Sequence, residues 1–386
     1  MASIRPSTLL LRVDGFGWQD CLATGPGSAI LGSLLFSALF PAPMSVKFLL
    51  RVAGTLLLAW AAAAACVALH TPLPWMLGPL VATSVLSMAG APTESWGPLR
   101  NGGQWAIGAA LGLYFTPEVS ALVGSLWWAI VLGIGWALLL GWGFGAWLYR
   151  LHAPRMHGVP ASMLRSTSYF AGAIGAASEM TLLSERENAR TDLVAASHSL
   201  RLLIVTITIP FALQWSGLQG LDILTPTVRE VSWPGLALLA LLTGAGALVM
   251  DRLGRANPWF MGAMLVSMAV TMAGLHLSAV PQAVVNAAQL VIGVSLGVRF
   301  RAEFLHTAPR WLASVAVGTF GLMGICAAFA AVLAWATGLP WVTLLLGTSP
   351  GGITEMAITA KVLQLGVPVV TAFQVCRLIA VLMLVG

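Results

Sequence analysis

Two arginines, Arg201 and Arg377, fall inside apolar helices of this sequence, and each follows a carboxylate of its own half, Glu179 and Glu355. They form two pairs with one spacing, because each arginine follows its carboxylate by 22 residues (201 − 179 and 377 − 355). An ionisable group at membrane depth costs about 2.5–3.5 kcal/mol on insertion scales, so it is normally paired or functional. Two readings stand side by side. One is a structural Glu–Arg bridge tying each segment to the next helix. The other is a polar cavity in which arginine holds an anionic group and glutamate takes a proton or a cation.

The backbone around the carboxylates is as unusual as the charges. Gly347-Thr348-Ser349-Pro350-Gly351-Gly352-Ile353-Thr354-Glu355-Met356 lies between apolar runs. Proline removes a donor and glycine removes the steric bias toward helical angles, so the segment predicts a broken helix. Within a bilayer, a broken backbone persists only where protein or a water-filled cavity satisfies it. A degenerate copy, Ala171-Gly172-Ala173-Ile174-Gly175-Ala176-Ala177-Ser178-Glu179-Met180, lies 176 residues earlier (355 − 179). Broken helices aim free backbone groups at the midplane, where transporters bind solute and coupling ion. Candidate binding residues are therefore Ser349, Gly351, Gly352, Thr354, Glu355 and Arg377, with Glu179 and Arg201 from the first copy. The first copy lacks Ser-Pro-Gly-Gly, so residues 347–356 are expected to carry the site and 171–180 to serve largely as scaffold.

These segments must be held by other apolar elements. The chain has 386 residues, 58% hydrophobic and 8% charged, against about 25% charged in a soluble domain. That composition specifies an integral membrane protein whose main partner is the lipid bilayer. The 19 Lys and Arg are scattered singly between apolar runs, which argues against nucleic acid despite the basic balance. Cys21, Cys66, Cys326 and Cys376 form no C-x-x-C pair, and no H-E-x-x-H occurs. The sequence therefore gives no metal site and no cofactor.

Apolar helices are readable at about 48–70, 74–90, 102–116, 120–149, 162–182 and 193–215. The set recurs at about 233–250, 258–276, 284–299, 310–337, 341–360 and 367–386. Pro74-Trp75-x-x-Gly78 matches Pro258-Trp259-x-x-Gly262. Asn101-x-x-Gln104-x-x-Ile107-Gly108-x-x-Leu111-Gly112 matches Asn286-x-x-Gln289-x-x-Ile292-Gly293-x-x-Leu296-Gly297. Ordered matches of this kind mark a duplicated unit. Residues 46–217 form the first membrane repeat, 218–232 a linker and 233–386 the second; 1–45 stay unassigned. Glycine at every fourth position predicts close helix packing. For Asn101, Gln104, Asn286 and Gln289, interhelical hydrogen bonding and cavity lining are both open.

Charge chooses between two topologies. If all twelve segments cross, the Lys and Arg between them divide seven against eight, although membrane proteins normally concentrate them on one side. If the fifth segment of each half enters and leaves on one side, the division is thirteen against two, Arg229 and Lys361. The prediction is all-α, with two inverted repeats of five transmembrane helices, each with a re-entrant or broken helix.

The duplicated Pro-Trp-x-x-Gly, the Asn-x-x-Gln block and Thr348-Ser349-Pro350-Gly351-Gly352-Ile353-Thr354-Glu355-Met356 resemble the AbrB membrane-protein duplication family of bacteria, over about residues 48–386. That family is distinct from the soluble DNA-binding AbrB. The resemblance implies a multi-pass protein of the bacterial inner membrane, with labels of gene-expression regulator and ammonia monooxygenase. A monooxygenase needs a metal or flavin, and the sequence offers no ligand set. Direct regulation needs a DNA-binding domain, and none fits. The expected function is a secondary transporter of a small anionic solute, coupled to a proton or a sodium ion. The alternative is a membrane regulator or sensor acting indirectly on gene expression, with the monooxygenase label weaker still. The oligomeric state, a homo-oligomer included, is not readable.

Overall fold

The computed structural model describes residues 45–156, 159–175, 177–218, 230–300 and 308–385. Nearly all of segment 1–45, most of the linker, and Arg229 and Arg301 from the charge division lie outside them. A first unit, Met1–Leu49, contributes the opening turn of the first helix to the described residues; the unit Leu50–Gly386 contains everything below.

All regular structure among the described residues is α-helical. The first half runs α1 (Val46–Ala68), α2 (Pro74–Met88), α3 (Gly97–Gly112), α4 (Pro117–Ser125), α5 (Trp127–His152), α6 (Ala161–Gly172), α7 (Ala177–Arg186) and α8 (Thr191–Ser216). The second runs α9 (Trp233–Arg252), α10 (Pro258–Met272), α11 (Gln282–Gly297), α12 (Pro309–Thr337), α13 (Trp341–Thr348), α14 (Ile353–Val362) and α15 (Val367–Val385). The duplication reaches the backbone. α2 and α10 both have 15 residues with proline first, and each follows a left-handed residue, Leu73 (φ 45°) and Asn257 (φ 50°). Both segments expected to be broken are broken, into α6–α7 and α13–α14.

The ten segments expected to cross are all helices, but they differ in length. α1, α5, α8, α9 and α12 are long and apolar enough to span a membrane, and a sixth span results if α3 and α4, bent by 90°, count as one. α2, α10, α11 and the apolar part of α15 are shorter. A 15-residue helix covers about 22 Å, less than a hydrocarbon core of about 30 Å.

The short helices make the core of the fold. α3 packs along α10, and its counterpart α11 packs along α2. A Cβ added to Gly112 would meet the Met264 carbonyl oxygen at 2.5 Å, and one added to its counterpart Gly297 would meet that of Leu80 at 2.8 Å. Gly112 and Gly297 face Ser267 and Thr83, again equivalent positions. The glycines at every fourth position are thus the seams along which each half grips the other. α3 and α11 touch at Gly103, where a Cβ would come within 3.1 Å of the Ala288 carbonyl oxygen. Ala288 is the counterpart of Gly103 itself (288 − 103 = 185), so this contact lies where the halves exchange roles.

Candidate functional site

Each break is built in the same way from different residues. In the second half, Pro350 disfavours helical angles at the residue before it, and Ser349 is extended (ψ 148°). α13 therefore stops with its last carbonyls unsatisfied. Arg377, from α15, donates to the carbonyl of Ser349 (2.5 Å) and to that of Gly351 (2.9 Å). The break of the first half has no proline, yet Ala173, the counterpart of Ser349, is extended too (ψ 137°). There Arg201 donates to the carbonyls of Ala171 (3.3 Å), Gly172 (3.2 Å) and Ala173 (2.8 Å). A cation at the carboxyl end of a helix also opposes its dipole favourably. Arginine capping is the feature the breaks share, and proline is dispensable.

A second residue completes each cap. His198 Nε2 bonds the Phe170 carbonyl (2.9 Å), and its Nδ1 lies 2.8 Å from an Arg201 nitrogen. Arginine can only donate, so Nδ1 is the acceptor and the imidazole is the neutral Nε2–H tautomer. In the second half Gln374 donates from Nε2 to the Leu346 carbonyl (2.7 Å), and its Oε1 accepts from Arg377 (2.6 Å). Histidine and glutamine present one donor and one acceptor in the same places. The offset of 176 already aligns positions 198 and 374 in the sequence, but unlike residues give no sign of a shared role, and only the fold shows what each one bonds.

The expected Glu–Arg bridges do not form within either half. Among the described residues the salt bridge present joins Arg190 to Asp192. The arginines spend their donors on carbonyls, and the carboxylates sit at the opposite lip of each break. Glu355 is the third residue of α14 and Glu179 the third of α7, each in an acidic first turn. Helix amino termini favour anions. Glu355 folds back over its own cap, since a Cβ on Gly352 would strike its carboxylate. Met356 covers Gly351 as Met180 covers Gly175, which accounts for the repeated Glu-Met.

Both breaks line one partly open cavity of about 330 Å³, within the size range of small-ligand sites. Of the sequence candidates, Asn101, Gln104, Glu179, Gly351, Gly352, Thr354, Glu355 and Arg377 line it. Four do not. Arg201 is buried behind its carbonyls. Ser349 donates to the Leu346 carbonyl and lies against Met356 Sδ. Asn286 accepts from Gln282 one turn away. Gln289 is buried, while its counterpart Gln104 faces the cavity. The expectation that 171–180 is largely scaffold is corrected in part, because Ile174, Gly175, Ala177 and Glu179 share the wall.

The sequence reading also missed cavity residues. Arg100, Arg255 and Arg299 line it, with Asp251, Asn257 and Ser295. Three of these had been counted only as topology charges, yet Arg100 directly precedes the Asn101-x-x-Gln104 block. Four arginines therefore face three carboxylates. The Nε atoms of Arg100 and Arg377 are buried with no hydrogen-bond partner. Buried donors left unpaired cost about 1–3 kcal/mol each.

The profile of the family described as "Transition state regulatory protein AbrB" matches residues 75–386. The chain belongs to the AbrB family. Among curated proteins it is similar to "Putative regulator AbrB" of Escherichia coli (strain K12), at 26% identity over 321 residues, 82% of this chain and 89% of that protein. It is also similar to "Uncharacterized protein YhjN" of Bacillus subtilis (strain 168), at 24% identity over 337 residues, 80% of this chain and 85% of that protein. The family match contains every cavity residue, from Arg100 to Leu378, and begins within α2.

Proposed function

We propose that this AbrB-family chain is a secondary transporter of the bacterial inner membrane, with inverted halves, moving a small organic anion. The observation that carries the reading is the single cavity lined by both broken helices, in which arginines outnumber carboxylates and two guanidinium Nε donors have no partner. A solute carboxylate sits among the guanidinium groups of Arg377 and Arg100 on the cavity wall, with Arg299 and Arg255 adding positive charge. Glu355, at the lip of the same break, holds the coupling proton or sodium ion, so that solute and ion share one site. Inversion is supported by the ends that meet there. Arg100, near the start of α3, and Arg299, just past the end of α11, line the same cavity. Opposite ends of equivalent helices meet when halves are inverted. The thirteen-to-two division of charges supports the same arrangement.

Uptake of a panel of organic anions into proteoliposomes, under an imposed proton or sodium gradient, tests the site. Glu355→Gln combined with Arg377→Ala is expected to abolish uptake, and uptake that survives both removes the proposed site. Cysteines placed at Arg155 and Arg255 should label from one side of the membrane; labelling from opposite sides sinks the inverted arrangement.

A second reading, a sensor that binds the anion and moves nothing, is favoured by the regulator named in the family description and in the Escherichia coli relative. Tight anion binding with no flux under any gradient would establish it.

A further inference from the structure

A second concavity in the first half shares no lining residue with the cavity between the breaks. It encloses about 820 Å³ between α5 and α6 and is lined by Trp142, Tyr149, Arg150, Arg165, Tyr169 and Glu187, among others. Arg150 and Arg165 are both exposed, and the Arg165 guanidinium lies 5.6 Å from the centre of the Tyr149 ring. Such a stack fixes the fork of an arginine while leaving its donors free. Trp142 is two turns deeper along α5, about 12 Å from Arg150 at 1.5 Å per residue. It is 63% exposed, with the small residues Gly145 and Ala146 lining the concavity between them. The result is a charged mouth above an open apolar floor.

We propose that this concavity binds an anionic phospholipid, with its phosphodiester between Arg150 and Arg165 and an acyl chain running past Gly145 and Ala146 onto Trp142. Two observations choose this ligand over a zwitterionic lipid or a soluble phosphate. Arg150 and Arg165 against Glu187 leave a charge of +1, which matches a monoanionic phosphodiester. The apolar floor begins one helical turn below the charges, as the acyl region of a lipid begins below its headgroup. Basic pockets between membrane helices on the positively charged face recur as sites for acidic headgroups, and both arginines belong to the majority of thirteen in the charge division.

The test is lipid retention by the purified full chain in detergent, read by native mass spectrometry during titration with dioleoylphosphatidylglycerol or dioleoylphosphatidylethanolamine. Phosphatidylglycerol is expected to bind more tightly, and Arg150→Gln with Arg165→Gln to lower that affinity roughly fivefold per arginine. Glu187→Gln, on the exposed rim, is expected to raise it by a similar factor, so a loss caused by misfolding is distinguishable from a loss of charge. Trp142→Ala should weaken phosphatidylglycerol binding. Equal retention of the two lipids, or no response to any of these changes, overturns the proposal. Displacement of the lipid by millimolar inorganic phosphate would also overturn it, because the site would then be one for free anions.

Discussion

The break at 171–180 and the break at 347–356 have one architecture and unequal duties. Both stop at an extended residue, both are capped by an arginine from a later helix, and both restart with a glutamate three residues in. The arginines then diverge. Arg201 makes three carbonyl contacts and stays out of the cavity, while Arg377 makes two, lines the cavity and keeps a buried Nε without a partner. The carboxylates diverge as well, since Glu355 is buried and Glu179 is half-buried. Duplication supplied two copies of a capped break, and only the arginine of the second reaches the cavity wall. Proline and the paired glycines mark that second copy without being what holds a break open.

Substituting the caps should separate structure from function most sharply. Arg201→Leu and Arg377→Leu each strand buried carbonyls, and each is expected to destabilise the fold by about 2–5 kcal/mol, read as lost thermal stability in detergent. Arg377→Lys should keep more of that stability than Arg377→Leu and still lose anion binding, whereas Arg201→Lys should leave binding near normal. Equal loss of binding in both lysine variants would break the proposed division of labour.

The carboxylates come next. Glu355→Gln is expected to cut gradient-driven uptake at least about tenfold, equivalent to about 1.4 kcal/mol, with anion binding retained. Glu179→Gln should cost clearly less. A reversed order would make the first break the principal site.

Packing across the halves gives a smaller and symmetric effect. Gly112→Ala and Gly297→Ala each push a methyl into the partner helix and should cost about 1–3 kcal/mol by denaturation. Gly102→Ala, beside open space, should be close to neutral. Unequal costs at 112 and 297 would mean that the two seams are not equivalent.

The smallest effect is the most diagnostic of the caps. His198→Gln copies the hydrogen bonds of Gln374 and should shift stability by less than about 0.5 kcal/mol. His198→Leu removes both and should cost about 1–3 kcal/mol. A glutamine as damaging as leucine would refute the equivalence of the two caps.

Much of the fold was legible in advance because its signals are local. Apolar runs, proline at the first position of α2 and α10, and glycine at every fourth position act through the chain's own backbone. Repetition of those local signals exposed the duplication. The first break was legible only through its likeness to the second, since Ala173-Ile174-Gly175 has no helix breaker as strong as proline. Arg100, Arg255 and Arg299 were hidden because a charge near a helix end reads as a loop charge, and only packing turns that end inward.

The sequence by itself determined a helical membrane protein made of two copies of one unit, and it picked out the four ionisable residues paired at the breaks. Only the tertiary structure decided what those residues do. A spacing of 22 residues brings an arginine near its own half's break, but which atoms it meets depends on how the returning helix packs. Carbonyls freed at the end of α6 and α13 are fixed, desolvated acceptors, and they claim the guanidinium before the carboxylate three residues into the next helix can.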